Sequence, residues 1–375
     1  MPGLLPHVDP DGLLEYSVVY TDRALNHMSK KFSGVMKDIS ATLKEVYGAA
    51  SAVVVPGSGS FGMEAVARQF AGGKDVLIVR NGWFSYRWTQ IFDMAGVASS
   101  STVLKARMIS TAPKSPFAPA PLDEIVSTIR STKPAVVFAP HVETSAGMIL
   151  PDEHLIAIAA AVHEYGGLFV LDCVASGAIW VDMRATGVDV LISAPQKGWS
   201  STPCAGLVML SEHAKAMMAG TTSSSFSLDL KKWAAMMEAH EQGAMAYHAT
   251  YPTDGLVQLR DAMNETRAMG FAQAKNAQIE LGRRVRTLME SQGIASVAAP
   301  GFQAPCVVVS YTDHADWQNT KAFAAQGLQV AAGVPLACDE PADYRSFRLG
   351  LFGLDKLQNI DRTVATFERA LMAVL

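Results

Sequence analysis

Residues 168–206 read LFVLDCVASGAIWVDMRATGVDVLISAPQKGWSSTPCAG. Residues 168–171 form a short apolar run that ends on an acid, Asp172. A second run, 188–192, leads into Ser193, Ala194, Pro195, Gln196 and Lys197. Apolar runs of this length, bounded by Gly and polar residues, suit strands buried on both faces of a parallel sheet. Ligands of such sheets sit beyond the carboxyl ends of the strands. Asp172 and Lys197 are therefore expected to face one crevice from two strand ends. A lysine there can bond covalently to a carbonyl cofactor. A carboxylate beside a pyridine nitrogen keeps that nitrogen protonated, so the ring can accept electrons. A loop-capping acid and a surface lysine would explain the same two residues without chemistry.

Working outward, residues 29–47 place Phe32, Val35, Met36, Ile39, Leu43 and Val46 on one helical face, an ordinary amphipathic helix. Residues 52–55 are strand-like and feed Pro56-Gly57-Ser58-Gly59-Ser60-Phe61-Gly62. Gly57, Gly59 and Gly62 satisfy the dinucleotide pattern G-x-G-x-x-G. A dinucleotide site also wants an acid at the end of the next strand. That strand, 76–79, ends in Arg80 and Asn81 instead, so only an NADP reading stays open. Either way, a Gly-rich turn feeding a helix N-terminus is an anion site. Asn81-Gly82-Trp83-Phe84-Ser85 is an aromatic turn at a strand end. Residues 110–120 read as an exposed loop, and 122–130 as a helix. Strand 135–139 ends in Pro140-His141-Val142-Glu143-Thr144-Ser145-Ala146-Gly147. The next helix, 151–165, is expected to carry His154 and His163 on its solvent side. Helical patterns are also expected over about 254–291, near 317–326 and over about 354–375.

Several pieces, in order, resemble the class V (fold type I) PLP-dependent aminotransferases, nearest the alanine–glyoxylate and serine–pyruvate branch. They are SGSFGMEA at 58–65, HVETSAG at 141–147, LDCVAS at 171–176, SAPQKGW at 193–199, YHAT at 247–250 and FRLGLFG at 347–353. The resemblance runs from about His27 to the C-terminus. It implies an α/β fold: a large domain with a mostly parallel central sheet covered by helices, plus a smaller α+β C-terminal domain. The expected division is residues 1–25 as an N-terminal segment, 26–265 as the large domain and 266–375 as the small one. The cofactor implied is pyridoxal 5'-phosphate (PLP), held by Lys197 as an aldimine, with Asp172 at the ring nitrogen. By the same resemblance, Ser58, Gly59, Ser60 and Gln196 hold the phosphate, and Phe84 stacks on the ring, with Trp83 next in line. Thr144 approaches the phenolic oxygen, and Val174 also lines the cofactor. Tyr247 and Thr250 reach the phosphate of the other subunit of a homodimer, and His27, Met28 and Ser29 border the substrate site across that interface. Arg348 binds the substrate carboxylate. A charged residue in an apolar, Gly-flanked strand is costly unless paired, so a salt bridge to Asp343 or Glu340 is the competing explanation.

The activity implied is transfer of an amino group from a small L-amino acid, alanine or serine, to a 2-oxo acid such as glyoxylate or pyruvate. A PLP lyase or desulfurase of the same fold ranks second. The desulfurases need a mobile cysteine, and Cys338 is the nearest candidate. An NADP-dependent oxidoreductase using the 57–62 turn ranks third. One departure concerns specificity. The relatives begin with a Gly-Pro-Gly-Pro-like segment, where this chain has Val8-Asp9-Pro10-Asp11-Gly12. Tyr16, Tyr20 or Arg23 could then alter the pocket, and Arg23, Arg87 and Arg345 are candidates for a second substrate acid.

Composition sets the remaining bounds. The chain has 375 residues, 49% of them apolar and 18% charged, enough for a large core and two domains. A net charge of -4 gives no footprint for nucleic acid or an anionic membrane. Cys173, Cys204, Cys306 and Cys338 lack metal-ligand spacing and are expected to be free thiols in a reducing cytoplasm. No secretory signal and no membrane span are expected.

Overall fold

The computed structural model describes residues 13–375. The segment Val8-Asp9-Pro10-Asp11-Gly12, with its bearing on specificity, lies outside the described residues. The apolar runs become a seven-stranded sheet. In chain order its strands are β1 (Ser51–Pro56), β2 (Asp75–Arg80), β3 (Ser100–Lys105), β4 (Val136–Pro140), β5 (Leu168–Asp172), β6 (Val190–Ser193) and β7 (Ala205–Leu210). The spatial order is β1-β7-β6-β5-β4-β2-β3. β2, β3, β4, β5 and β6 pair in parallel, whereas β7 runs antiparallel to both β6 and β1. β4, β5, β6 and β7 are buried along their whole length. That is the physical reason for their unbroken Val, Ile and Leu character.

Helices cover the sheet. The amphipathic run 29–47 forms α1 (Lys30–Tyr47), whose N-cap Ser29 accepts a hydrogen bond from the Phe32 N–H. The two site-bearing helices are α2 (Gly59–Phe70) and α3 (Trp83–Ala95). The helical pattern at 254–291 is two helices, Thr253–Met269 and Phe271–Ser291, broken at Gly270 with φ +93°. Leu256, Leu259 and Met263 of the first join the core around the large sheet. Leu281, Val285 and Met289 of the second pack instead with a separate cluster that includes Phe347, Phe367 and Leu371. That cluster lies on a three-stranded antiparallel sheet of β8 (Val307–Tyr311), β9 (Ala331–Ala332) and β10 (Ser346–Gly350), with β10 in the middle.

The turn at 57–62 is not a dinucleotide motif. Such a motif links neighbouring parallel strands. Here β1 lies at the sheet edge, antiparallel to β7, and β2 sits on the far side of the sheet. The glycines serve packing instead. Gly57 has φ +125°, and a Cβ on Gly62 would press on the Gly206 backbone at 3.3 Å. Arg80 is buried against the Tyr86 ring and bonded to Thr89, so it is not available to a phosphate. His154 does not lie on the solvent side. It is buried, edge-on to Phe302 at 5.4 Å, and burial lowers its imidazole pKa. His163 is partly exposed and bonds to Asp189 at 2.8 Å. Among the described residues, no helix is long and apolar enough to cross a membrane.

Candidate active site

β5 and β6 are adjacent and parallel, with Ile192 in register with Asp172. Asp172 therefore ends its strand one residue before β6 ends, and Lys197 follows in the next turn. Both line a cavity of about 210 Å³ at the carboxyl ends of the strands. The same cavity gathers Ser58, Gly59, Ser60, Phe84, Thr144, Val174 and Gln196. With Asp172 and Lys197, these come from five separate strand-end or turn segments, brought together by the order of the sheet. Arg87 and Met63 line it as well.

One wall is the N-terminus of α2. Ser58 is its N-cap, yet the hydroxyl makes no capping hydrogen bond within the chain. A Cβ on Gly59 would stand 2.7 Å from Val174 Cγ2, so the backbone approaches as closely as glycine permits. Exposed N–H groups and an uncommitted hydroxyl at a helix N-terminus form an anion cradle. The Gln196 Oε1 is buried without a hydrogen-bond partner.

Asp172 is the acid of the site. Burial pushes its carboxyl up to about 6, opposed by the Val174 N–H, which donates to Oδ1 over 2.9 Å. Glu143 pushes it further up, while Arg87 and Lys197 pull it down. Among the described residues, Oδ2 accepts no hydrogen bond, so it is available to a donor in the cavity. Burial lowers the Lys197 pKa, and Arg348 lowers it further. That raises the neutral, nucleophilic fraction of the amine. The Lys197 Nζ rests 5.0 Å from the Phe352 ring centroid. Asp172, Lys197 and the α2 cradle together fit a ring nitrogen, a carbonyl and a phosphate.

Phe84 and Trp83 separate. Phe84 faces the cavity; Trp83 packs on Tyr86 at 5.5 Å. The turn that carries them is anchored by Glu143, a fully buried carboxylate. It accepts from the N–H groups of Phe84, Ser85 and Ser145 and from the hydroxyls of Ser85 and Ser145, at 2.8–3.2 Å. An acid at a helix N-terminus satisfies orphan donors and meets the positive end of the dipole. In the sequence, Glu143 is one residue of the 141–147 turn, with no local signal of this role.

Arg348 forms no ion pair among the described residues. Glu340, its supposed partner, accepts instead from the N–H groups of Leu336, Ala337 and Cys338. The Arg348 Nε donates to the Ala332 carbonyl at 2.8 Å, and the guanidinium lies 5.5 Å from the Phe84 ring centroid. Of the other arginines considered, Arg23 is exposed and Arg345 lines a separate cavity. Only Arg87 enters this one. Tyr247 and Thr250 do not line the cavity of their own chain. The Tyr247 and Thr250 hydroxyls pair at 3.2 Å on an exposed surface, and Tyr247 packs on His27 at 5.4 Å. Tyr16 is exposed, and the Tyr20 hydroxyl donates to the Tyr251 carbonyl at 3.1 Å. Cys338 is buried, its thiol pushed up to about 12 by burial, which is unsuited to a mobile nucleophile.

The family model "Aminotransferase class-V" matches residues 12–348. The chain belongs to the class-V aminotransferase family. The aminotransferase is 30% identical to 2-aminoethylphosphonate–pyruvate transaminase 2 of Paraburkholderia xenovorans, covering 93% of this chain and 89% of that protein. It is 25% identical to the alanine–glyoxylate aminotransferase of Callithrix jacchus, over 92% and 82% of the two chains. The structure of an alanine–glyoxylate aminotransferase from Nostoc sp. superposes with a TM-score of 0.76 at 22% identity, covering 92% of this chain and 88% of that one. The family is PLP-dependent, and the aminotransferase is a PLP-dependent transaminase.

Proposed function

We propose that the enzyme moves the amino group of a small L-amino acid, alanine or serine in type, to glyoxylate or pyruvate. The observation that carries this reading is the single cavity lined by Lys197, Asp172 and the α2 anion cradle, with Arg348 approaching Phe84 at its edge. PLP, when bound, supplies an electron sink for the pair of electrons left when the donor loses its Cα proton. Every other task falls to side chains. Lys197 would hold the cofactor through its amine and, when that amine is free, would move the Cα proton as a general base. Its lowered pKa favours the neutral amine that this task needs. Asp172 would hold a proton at the ring nitrogen, with Oδ2 free to accept it. Phe84, Val174 and Thr144, which line the cavity, would hold the cofactor ring, Phe84 by stacking and Thr144 by a hydrogen bond near the phenolic oxygen. Ser58, Gly59, Ser60 and Gln196 hold the phosphate. Arg348 orients the substrate carboxylate through its two terminal nitrogens, which have no partner among the described residues.

We further propose a homodimer, in which Tyr247 and Thr250 complete the partner's phosphate site. The exposed apolar residues Met28, Phe61, Phe226, Met245 and Tyr247 support an interface of this kind. We assign the large domain to the core around the main sheet, with the small domain beginning at the Gly270 break. Four free, buried cysteines support a cytoplasmic site of action. A 2-aminoethylphosphonate donor is the second reading, favoured by relatives of that name at 30% and 28% identity.

The test is a visible spectrum of the purified protein with L-alanine, L-serine and 2-aminoethylphosphonate in turn. A band that collapses with one donor and returns with glyoxylate or pyruvate identifies the pair. Lys197→Ala should abolish the band; a variant with an unchanged spectrum would remove Lys197 from its role.

A further inference from the structure

Arg87 has no part in the mechanism above, yet its side chain is built into the cavity. It lies three residues after Phe84 on α3, and its guanidinium carbon sits 5.4 Å from the Phe84 ring centroid. Its Nη1 donates to the Ser60 Oγ over 2.8 Å. Arg348 approaches the same ring at 5.5 Å. Neither arginine forms an ion pair among the described residues. A half-buried cation without a counter-ion is unfavourable, and an incoming anion relieves it.

The two cations address different ends of the cavity. Arg348 is the charge that acts most strongly on the Lys197 amine, so it belongs where the substrate's reacting carbon lies. Arg87 is bonded to Ser60, in the first turn of α2, so it belongs at the anion cradle. That cradle is otherwise uncharged. It offers N–H dipoles, hydroxyls and the Gln196 amide. The only other cation lining the cavity is Lys197, which is committed to the carbonyl end.

We propose that Arg87 is the counter-charge of the cofactor's phosphate, and not a second acid-binding residue for substrate. The Ser60 hydroxyl and the Phe84 ring fix the plane of its fork, so the guanidinium can offer two parallel hydrogen bonds to phosphate oxygens. Stacking on Phe84 also ties the phosphate contact to the residue that covers the ring. The proposal rests on the assignment of this cavity to PLP.

The experiment uses the apoprotein and compares PLP with pyridoxal, which lacks the phosphate. Binding is followed by the visible band for wild type, Arg87→Met and Arg87→Lys. Arg87→Met should weaken PLP about 10- to 100-fold, as expected for a lost charge-assisted hydrogen bond, and leave pyridoxal within about twofold. Arg87→Lys should recover part of the loss, because it keeps the charge and loses the fork. Inorganic phosphate should compete with PLP in wild type more strongly than in Arg87→Met. Equal weakening of PLP and pyridoxal, in both variants, would overturn the proposal and make Arg87 a support for Phe84. Unchanged PLP affinity with a raised KM for donors carrying a second acid would overturn it in favour of a substrate role. A wild-type protein that bound neither compound would instead refute the cofactor assignment, and that outcome is distinct from the other two.

Discussion

A buried acid with one free oxygen is an unstable arrangement until a cation meets it, and Asp172 is such an acid. Its carboxyl titrates at about 6 in place of 3.8 because burial disfavours the charged form. The sign follows from proton counting. The folded apoprotein binds the proton more tightly than the unfolded chain, so stability falls as pH rises through 3.8 towards 6. Above pH 6 the cost is about 3 kcal/mol. Asp172→Asn should therefore raise the melting temperature of the apoprotein at pH 7 and leave it nearly unchanged at pH 3.5. The same variant should lose turnover on the order of 100-fold in the PLP-loaded enzyme, because a neutral amide does not hold the ring proton by charge. Equal melting temperatures of the two apoproteins at pH 7 would show that burial does not strain this carboxylate. A gain in stability with a loss of turnover from one substitution is what a preorganised site predicts.

At the scale of elements, the site depends on how α3 begins. Glu143 receives three backbone N–H groups and two hydroxyls at that point, with no cation paired to it among the described residues. Glu143→Ala leaves those buried donors unpaired and should cost at least about 2 kcal/mol, read from urea unfolding of the apoprotein. Glu143→Gln keeps one oxygen acceptor and should cost less. If the Ala variant unfolds at the wild-type urea midpoint, the cap does not hold the turn. Sequence alone could not assign this role, because the acid lies 58 and 59 residues from the helix it caps. The strands were legible for the opposite reason. A strand buried on both faces is apolar throughout, and Leu168–Asp172 shows that locally. Strand direction was not legible, since β1 finds its partner β7 across some 150 residues. Helical spacing in the sequence also runs unbroken across the breaks at Gly270, Thr320 and Asn359. Local apolar spacing persists across such positions while the backbone leaves the helical region, with φ +75° at Thr320, where the helix expected near 317–326 becomes Ala315–Gln318 and Lys321–Ala325. Asn359 likewise divides Leu354–Gln358 from Ile360–Val374. Arg87 carried a weaker signal, a lone arginine one helical turn after the aromatic at a strand end.

At the scale of the molecule, one chain leaves the exposed pair Tyr247 and Thr250 away from its own cavity. Their hydroxyls are mutually bonded, and His27 packs against the tyrosine ring, while the proposed role of the pair is to complete the partner's phosphate site. If the partner's phosphate is that ligand, subunit mixing has a definite outcome. Lys197→Ala chains supply an intact Tyr247 and Thr250, and Tyr247→Ala/Thr250→Ala chains supply an intact Lys197. Each variant alone should be inactive at limiting PLP. In a mixed dimer, the intact Lys197 meets the intact pair from the other subunit, which creates one wild-type site. Random pairing on co-refolding should then restore about a quarter of the wild-type activity. Were the pair to serve its own chain, every mixed dimer would combine one dead lysine with one damaged phosphate site, and mixing would restore nothing. Sedimentation of the wild-type protein as a monomer would sink the shared-site arrangement before any mixing is done.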